Sequence, residues 1–160
     1  MMYHYRWAYE DDVVKAGTLL PIGQDLQMDS DRAQQSYDFI TQRQIGRRSL
    51  VGSTDWNTPL IENSYRQVLQ IMQNRFARGD FMLGDRPGRG DFALYGQLTQ
   101  LVHFDPTSMA VALDVAPKVV HWVDRMDDLS WLPVSDADGG NDGWTSLDQL
   151  DPATHELLNE

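Results

Sequence analysis

The segment GDRPGRGDFALYG, residues 84–96, constrains the fold of this 160-residue chain more than any other segment. If a helix begins after Gly88, that glycine is the N-cap and Asp91 is the third helical residue. The Asp91 carboxylate can then accept a hydrogen bond from the Gly88 amide, and it lies at the positive end of the helix dipole. Pro87 and Phe92 occupy the two positions of a hydrophobic staple. The segment therefore predicts the start of a helix.

The helix that starts here is predicted to extend to residue 104 and to be apolar over about half of its circumference. Six residues form its apolar side: Phe92, Leu94, Tyr95, Leu98, Leu101 and Val102. A helix this apolar is typical of the middle of a bundle. Asp105-Pro106 predicts its end, because proline disfavours helical backbone in the residue before it.

Three further segments have helical periodicity, and no segment alternates apolar and polar residues for long enough to predict a strand. Residues 59–78 form an amphipathic helix that we expect Gly79 to end by taking the left-handed conformation. Residues 31–44 form a weaker helix, and residues 117–126 form a short one with its apolar side inward. The sequence therefore predicts an all-α fold, a helical bundle.

The tripeptide Arg-Gly-Asp occurs twice, at residues 78–80 and 89–91. An adhesive ligand would need an aspartate that is free to coordinate a metal on a partner. Both copies instead have a role in local structure, because the first falls at a helix end and the second at a helix start. We interpret both as helix-capping sequences.

Residues 3–20 are predicted to form one long helix with two apolar stripes. Tyr3, Trp7 and Val14 form one stripe, and the other contains Tyr5, Tyr9, Val13, Ala16 and Leu20. A helix that is apolar on two sides must be covered on two sides. We therefore expect the core to cover one stripe, and a cleft, a domain or a second subunit to cover the other. The exposed surface should include some of Tyr3, Tyr5, Trp7 and Tyr9.

The composition excludes several classes of function. Asp and Glu number 24 against 13 Lys and Arg, and the net charge of -11 argues against a nucleic-acid partner. The absence of cysteine excludes disulfides, thiolate metal sites and a cysteine nucleophile. The four histidines have no ligand-pair spacing, so no metal site is predicted. No apolar run approaches the roughly 20 residues of a membrane span, so we expect a cytoplasmic protein without a membrane partner.

The composition changes after Trp131. The segment PVSDADGGNDGW is rich in Gly and Asp and is predicted to be a loop. Asp151-Pro152 then begins a short helix that ends with the chain. We therefore expect residues 1–130 to form one helical domain, and residues 131–160 to form a loop and a truncated C-terminal helix that pack on the same domain.

The order of residues in the capping segment resembles the folding motif in the helical C-terminal domain of glutathione S-transferases. Gly84, Pro87, Gly88, Asp91 and Phe92 occupy the places of that motif. The resemblance extends over about residues 2–130 by the order and spacing of helices, and it is most specific at residues 81–126. One departure is that the family usually has Ser or Thr at the N-cap, where this chain has glycine.

The resemblance implies a bundle of the glutathione transferase C-terminal type and a reaction in which the glutathione thiolate attacks an electrophile. In that family an N-terminal thioredoxin-like domain binds glutathione and activates its thiol, and we expect that domain to be absent here. This chain would then supply the wall of the electrophile pocket and the contacts of a homodimer. It would contain no catalytic residue and no cofactor, with glutathione as the co-substrate of the full-length family. The isolated chain is expected to be inactive.

The first helix contains the candidate pocket residues. The family resemblance implies that this helix walls the pocket, which makes Tyr3, Arg6, Trp7 and Glu10 the candidates. Arg6 and Glu10 have a second interpretation, since residues four apart on a helix can form an ordinary ion pair. The function also has an alternative, a non-catalytic helical interaction module of the same fold.

Overall fold

The computed structural model describes residues 1–133 and 143–159, which include eight α-helices and no β-strand. The helices are α1 (Met2–Ala8), α2 (Glu10–Gln24), α3 (Ser30–Ile45), α4 (Thr58–Arg75), α5 (Arg89–Thr99), α6 (Pro106–Val115), α7 (Pro117–Asp127) and α8 (Pro152–Asn159). Two 3-10 turns (Arg48–Val51 and Leu147–Gln149) and a π-helical turn (Gln100–Phe104) complete the regular structure. The prediction of an all-α fold is confirmed. The central part of the predicted Gly- and Asp-rich loop, residues 134–142, lies outside the described residues.

The main core lies where α1, α4, α5, α6 and α7 meet. Its buried members are Tyr5, Tyr65, Leu69, Met72, Phe81, Leu98, Leu101, Val102, Ala112, Ala116, Val119, Trp122, Val123 and Met126. The predicted inward side of α7 is confirmed by the last four of these residues. None of the helices in the described part of the chain is long and apolar enough to cross a membrane.

The prediction of one helix over residues 3–20 is wrong, because the helix is interrupted at Tyr9. That residue has extended backbone, with φ -114° and ψ 138°, and it separates α1 from α2. Its ring stacks on Tyr5 with centroids 6.0 Å apart, and its hydroxyl donates to Glu62 on α4. Three acidic residues occupy the first turn of α2, where they favour a new helix start.

Helix α4 ends at Arg75, earlier than predicted, and Gly79 does not have a positive φ. The predicted left-handed cap at Gly79 is therefore wrong. A Cβ added at Gly79 would lie 2.4 Å from Nη1 of Arg75, whose side chain is buried. The glycine leaves room for the Arg75 guanidinium and does not act as a left-handed helix cap.

Helix α6 was not predicted, because Asp105-Pro106 was interpreted only as a helix end. Pro106 instead occupies the first turn of α6, where its missing N–H costs nothing. The buried Asp12 of α2 completes this helix start, since its Oδ1 accepts a hydrogen bond from the Thr107 amide at 3.2 Å. The capping side chain is distant in the sequence, so local patterns give no sign of it.

The described part of the C-terminal segment contacts the bundle through polar side chains. Asp151 forms a two-bond ion pair with Arg78, just after α4. The Thr154 hydroxyl of α8 donates to the Met82 carbonyl at 2.8 Å, in a buried position. These contacts fix α8 beside the end of α4.

Candidate functional site

Helix α1 is enclosed by three other parts of the bundle, and each of its polar side chains contacts a different one. The Tyr3 hydroxyl donates to the Gln44 carbonyl of α3 at 2.8 Å. The Arg6 guanidinium faces the residues before α6, and His4 faces α4 and the loop that precedes it. The candidate pocket residues therefore do not share one open surface.

Arg6 forms a buried ion pair with Asp105. The Arg6 Nε–Asp105 Oδ1 distance is 2.8 Å, and Nη2 donates to Oδ2 at 3.0 Å. A further bond from Nη2 reaches Gln100 Oε1, and the guanidinium lies over the Phe104 ring. Burial raises the pKa of Asp105, and Arg6 opposes that rise. The arginine thus compensates a carboxylate that is inaccessible to solvent.

The alternative ion pair between Arg6 and Glu10 does not form in the described structure. Glu10 is exposed and begins α2, beyond the break at Tyr9, while Arg6 is directed toward Asp105. The i,i+4 spacing supports an ion pair only on a continuous helix, and the break removes that condition.

The expected exposed apolar surface along the first helix is wrong for its two central aromatic residues. Tyr5 is 1% exposed and Trp7 is 4% exposed. Trp7 lies beside the half-buried Tyr3, with ring centroids 6.4 Å apart. The change of direction at Tyr9 allows helices of the same chain to cover Tyr5 and Trp7, whereas Val14 of the first stripe stays 50% exposed. Among the four candidate pocket residues, only Tyr3 and Glu10 retain substantial contact with solvent.

A polar cluster around His4 was missed by the sequence analysis. His4 Nδ1 lies 2.9 Å from Ser53 Oγ, and Nε2 lies 3.4 Å from Glu62 Oε1, which also accepts from Tyr9. Burial lowers the pKa of His4, and the Glu62 hydrogen bond opposes this change. Burial and Glu62 together raise the pKa of Tyr9 to about 12.

The order Ser53, His4, Glu62 has the residue types of a hydrolytic triad, but the cluster is closed. Ser53 and His4 are 3% and 2% exposed, so a substrate could not reach the serine hydroxyl. The cluster therefore joins the start of α4 to α1 as a structural network. The residues are 49 and 58 positions from His4, so no sequence spacing could have indicated it.

An open groove lies between the C-terminal end of α2 and the length of α3. This α2–α3 groove has a volume of about 520 Å³ and is lined by Pro21, Gln24, Met28, Arg32, Gln35, Ser36, Phe39, Ile40, Arg43 and Gln44. Its lining contains two arginines and no acidic residue. Gln44, at one end, accepts the hydrogen bond from Tyr3. The groove therefore adjoins one of the predicted pocket residues.

Close packing at Gly17 holds the two sides of this groove together. A Cβ at Gly17 would lie 2.6 Å from side-chain atoms of Tyr37 and Thr41 on α3. The glycine therefore permits α2 to cross α3 at short range. Phe39, between these two residues in the sequence, is 69% exposed, so its ring is available on the groove wall.

The predicted hydrogen bond between Asp91 and the Gly88 amide is present in the structure. Asp91 is fully buried, and its Oδ2 accepts from the Gly88 amide at 2.9 Å. Its Oδ1 accepts from the Met82 amide at 2.9 Å, a second bond that the sequence did not indicate. Burial raises the pKa of Asp91, while these amide donors act against the rise. Phe92, expected on the apolar side of the helix, is half exposed.

Two glycines of the motif lie in close contacts. Gly84 has a φ of +133°, and a Cβ there would lie 2.3 Å from the Gly143 carbonyl oxygen. At Gly88 a Cβ would lie 3.0 Å from the Trp144 ring. A Ser or Thr at this position would require the partly exposed indole to move by a few tenths of an ångström. Pro87, between them, is half-buried.

Within residues 1–133 and 143–159, no three His, Asp or Glu side chains are grouped so that they could hold a metal ion. Two other features of the structure are relevant to function. One is a buried carboxylate that organises the helix start at Gly88, and the other is the open α2–α3 groove with its two arginines.

Comparison with known proteins agrees with the capping motif. Residues 62–129 match the family model described as Glutathione S-transferase, C-terminal domain. The match extends from the first turns of α4 to the residues after α7 and includes the whole motif from Gly84 to Phe92. No curated protein and no solved structure matched the chain. Helices α4 to α7 therefore match the C-terminal helical domain of the glutathione S-transferase family.

Proposed function

We propose that the chain is the helical half of a glutathione S-transferase-like protein and that its α2–α3 groove forms the wall of the electrophile pocket. The observation that carries the proposal is the groove itself, which is open, partly apolar and adjacent to Tyr3. A thioredoxin-like domain would bind glutathione and activate its thiol. The thiolate would then attack an electrophilic carbon, form a carbon–sulfur bond and displace a leaving group such as chloride.

The groove offers two kinds of contact to such a substrate. Phe39, Met28 and Ile40 provide apolar surface for the body of the electrophile. Arg43 provides a guanidinium near the groove end at Gln44, which would favour negative charge as the thiolate adds to an aromatic ring. The groove would therefore bind the electrophile and stabilise its anionic adduct, while the thiol chemistry belongs to the other domain.

We place the homodimer contacts at a second surface, the tryptophan patch, defined as Leu50, Val51, Trp56 and Leu60. These residues are 79%, 57%, 91% and 67% exposed, and they precede or begin α4. Large exposed apolar patches are typical of interaction surfaces, and tryptophan is enriched among residues that dominate binding energy.

Sedimentation at several protein concentrations tests the dimer. We expect added salt to favour the dimer, because it screens the repulsion between two chains of charge -11. Trp56→Ser should give a monomer. Leu26→Ser is the control, since Leu26 is 86% exposed at the opposite end of α3. A wild-type monomer at every concentration and salt, or equal dimerisation of both variants, would contradict the assignment.

A non-catalytic interaction module is the second candidate function, and the enclosure of α1 favours it. Arg6 and Trp7 are buried within the bundle, so only part of the surface expected to line the electrophile pocket is open. A module would use its exposed apolar surfaces to bind other proteins without any need for glutathione. The two functions make opposite predictions about turnover.

Glutathione conjugation decides between them. The 160-residue chain alone should not conjugate glutathione to 1-chloro-2,4-dinitrobenzene, since it has no cysteine and no glutathione-binding domain is assigned to it. A single polypeptide with a thioredoxin-like glutathione-binding domain before Met1 should do so. The thioredoxin-like domain alone is the control for background turnover. If the joined protein is no more active than that control, the transferase proposal fails and the interaction module remains.

A further inference from the structure

A second groove lies on a different part of the bundle, between the C-terminal end of α4 and α7. This α4–α7 groove has a volume of about 400 Å³ and is lined by Gln73, Phe76, Gly79, Asp80, Pro117, Lys118, His121, Trp122 and Arg125. It shares no lining residue with the α2–α3 groove. Gly79 and Asp80 belong to the first Arg-Gly-Asp tripeptide, so this sequence forms one end of the groove.

The floor of the α4–α7 groove is aromatic and held in place by hydrogen bonds. Phe76 stacks on Trp122 with centroids 4.9 Å apart and an interplanar angle of 16°. Trp122 Nε1 donates to the Asp80 carbonyl at 3.0 Å, and Arg125 Nη1 donates to Asp80 Oδ1 at 3.0 Å. The floor is therefore formed before any ligand arrives, which limits the ordering cost of binding.

The rim of the groove is basic, although the whole chain has a charge of -11. Lys118, His121 and Arg125 follow one another at helical spacing along α7. Asp80 is the only acidic residue among those that line the groove, and Arg125 already pairs with it. Lys118 forms no ion pair with any residue in the described ranges.

We propose that the α4–α7 groove binds a small planar aromatic carboxylate. The ring of the ligand lies against Phe76, and the carboxylate accepts a hydrogen bond from the Lys118 ammonium. The groove volume of about 400 Å³ lies in the usual range for small-molecule sites. This lining favours both an apolar body and a negative charge, so a neutral aromatic compound of the same shape binds less well.

Titration of the 160-residue chain with 2-naphthoate tests the site, with 2-naphthamide as the neutral comparison. The indole N–H resonance of Trp122 reports binding in nitrogen-15 labelled protein. We expect 2-naphthoate to shift this resonance with a Kd of roughly 1 mM, typical of a ligand of this size at an open site. The neutral amide should shift it only at higher concentration. Equal affinities for the two compounds would overturn the proposal.

The two lysines of the chain provide a matched pair of variants. Lys118→Gln should raise the Kd for 2-naphthoate about threefold, which is the contribution of one solvent-exposed charge pair. Lys15→Gln, on α2, should leave it unchanged. An unchanged Kd in Lys118→Gln, or shifts confined to residues of the α2–α3 groove, would refute the site. Neither glutathione nor a second domain is involved, so failure here leaves the proposed transferase function untouched.

Discussion

Replacement of Asp91 by alanine should destabilise the fold far more than loss of a surface carboxylate. Asp91 is fully buried, and its two oxygens accept one bond each from the amides of Met82 and Gly88. Alanine leaves two buried N–H groups without partners, each at a cost of about 1–3 kcal/mol. Burying the Asp91 charge is itself unfavourable, as its raised pKa shows, and removing that charge offsets part of the lost stability. We therefore expect a loss of about 2–4 kcal/mol.

Thermal unfolding followed by circular dichroism measures this effect. In a protein of this size, 1 kcal/mol corresponds to roughly 2–4 °C in Tm, so Asp91→Ala should lower Tm by about 4–16 °C. Asp91→Asn should show an intermediate loss, because its amide oxygen can accept only one of the two bonds. Asp114→Ala is the control, since its carboxylate is exposed and lies 3.8 Å from Arg66. Equal Tm values for wild type and Asp91→Ala would refute the capping assignment.

Three further predictions concern α1 and are measured by chemical denaturation. Arg6→Met should cost about 3–5 kcal/mol, because it leaves the Asp105 carboxylate buried and unpaired, and adding Asp105→Leu should recover part of that loss. Burial lowers the pKa of His4, so below about pH 6.5 the unfolded chain binds a proton at His4 more readily than the folded chain does, and the free energy of unfolding decreases as the pH falls. His4→Gln should reduce this dependence of stability on pH, whereas the exposed control His121→Gln should not. Tyr5→Phe should be neutral or stabilising by about 1 kcal/mol, because the buried Tyr5 hydroxyl has no hydrogen-bond partner within the described residues; a clear loss of stability would contradict this.

The parts of the fold that depend on neighbouring residues were predictable. The start of α5 follows from the spacing of Gly88 and Asp91, and the inward side of α7 follows from helical periodicity. Both rely on contacts between residues a few positions apart, which a sequence displays directly. The family resemblance rests on the same local motif, and the match at residues 62–129 supports it.

The parts that depend on distant residues were not predictable. Arg6 pairs with Asp105, which lies 99 positions away, so the nearby Glu10 was the natural but incorrect partner. Gly79 was interpreted through its backbone, whereas the buried Arg75 side chain explains it. Apolar residues on two sides of a helix indicate that both sides are covered. They do not show whether a partner covers the second side, or whether the helix is interrupted, as at Tyr9, and packs against its own chain.

The α2–α3 groove was also beyond sequence analysis. Its lining comes from two helices and the connection between them, and the close crossing at Gly17 determines its shape. The candidate site therefore required the packing of α2 against α3, which no local pattern specifies.

The most direct test of the proposed pocket is the KM for 1-chloro-2,4-dinitrobenzene in the joined two-domain protein with Phe39→Ala. Phe39 is 69% exposed, so its truncation should leave the fold intact. Loss of a buried contact with the ligand ring should raise KM for the electrophile about fivefold or more, while KM for glutathione stays unchanged. Leu113→Ala, at an exposed apolar position on α6, should leave both values unchanged. An unchanged electrophile KM in Phe39→Ala would contradict the assignment of the α2–α3 groove as the pocket wall.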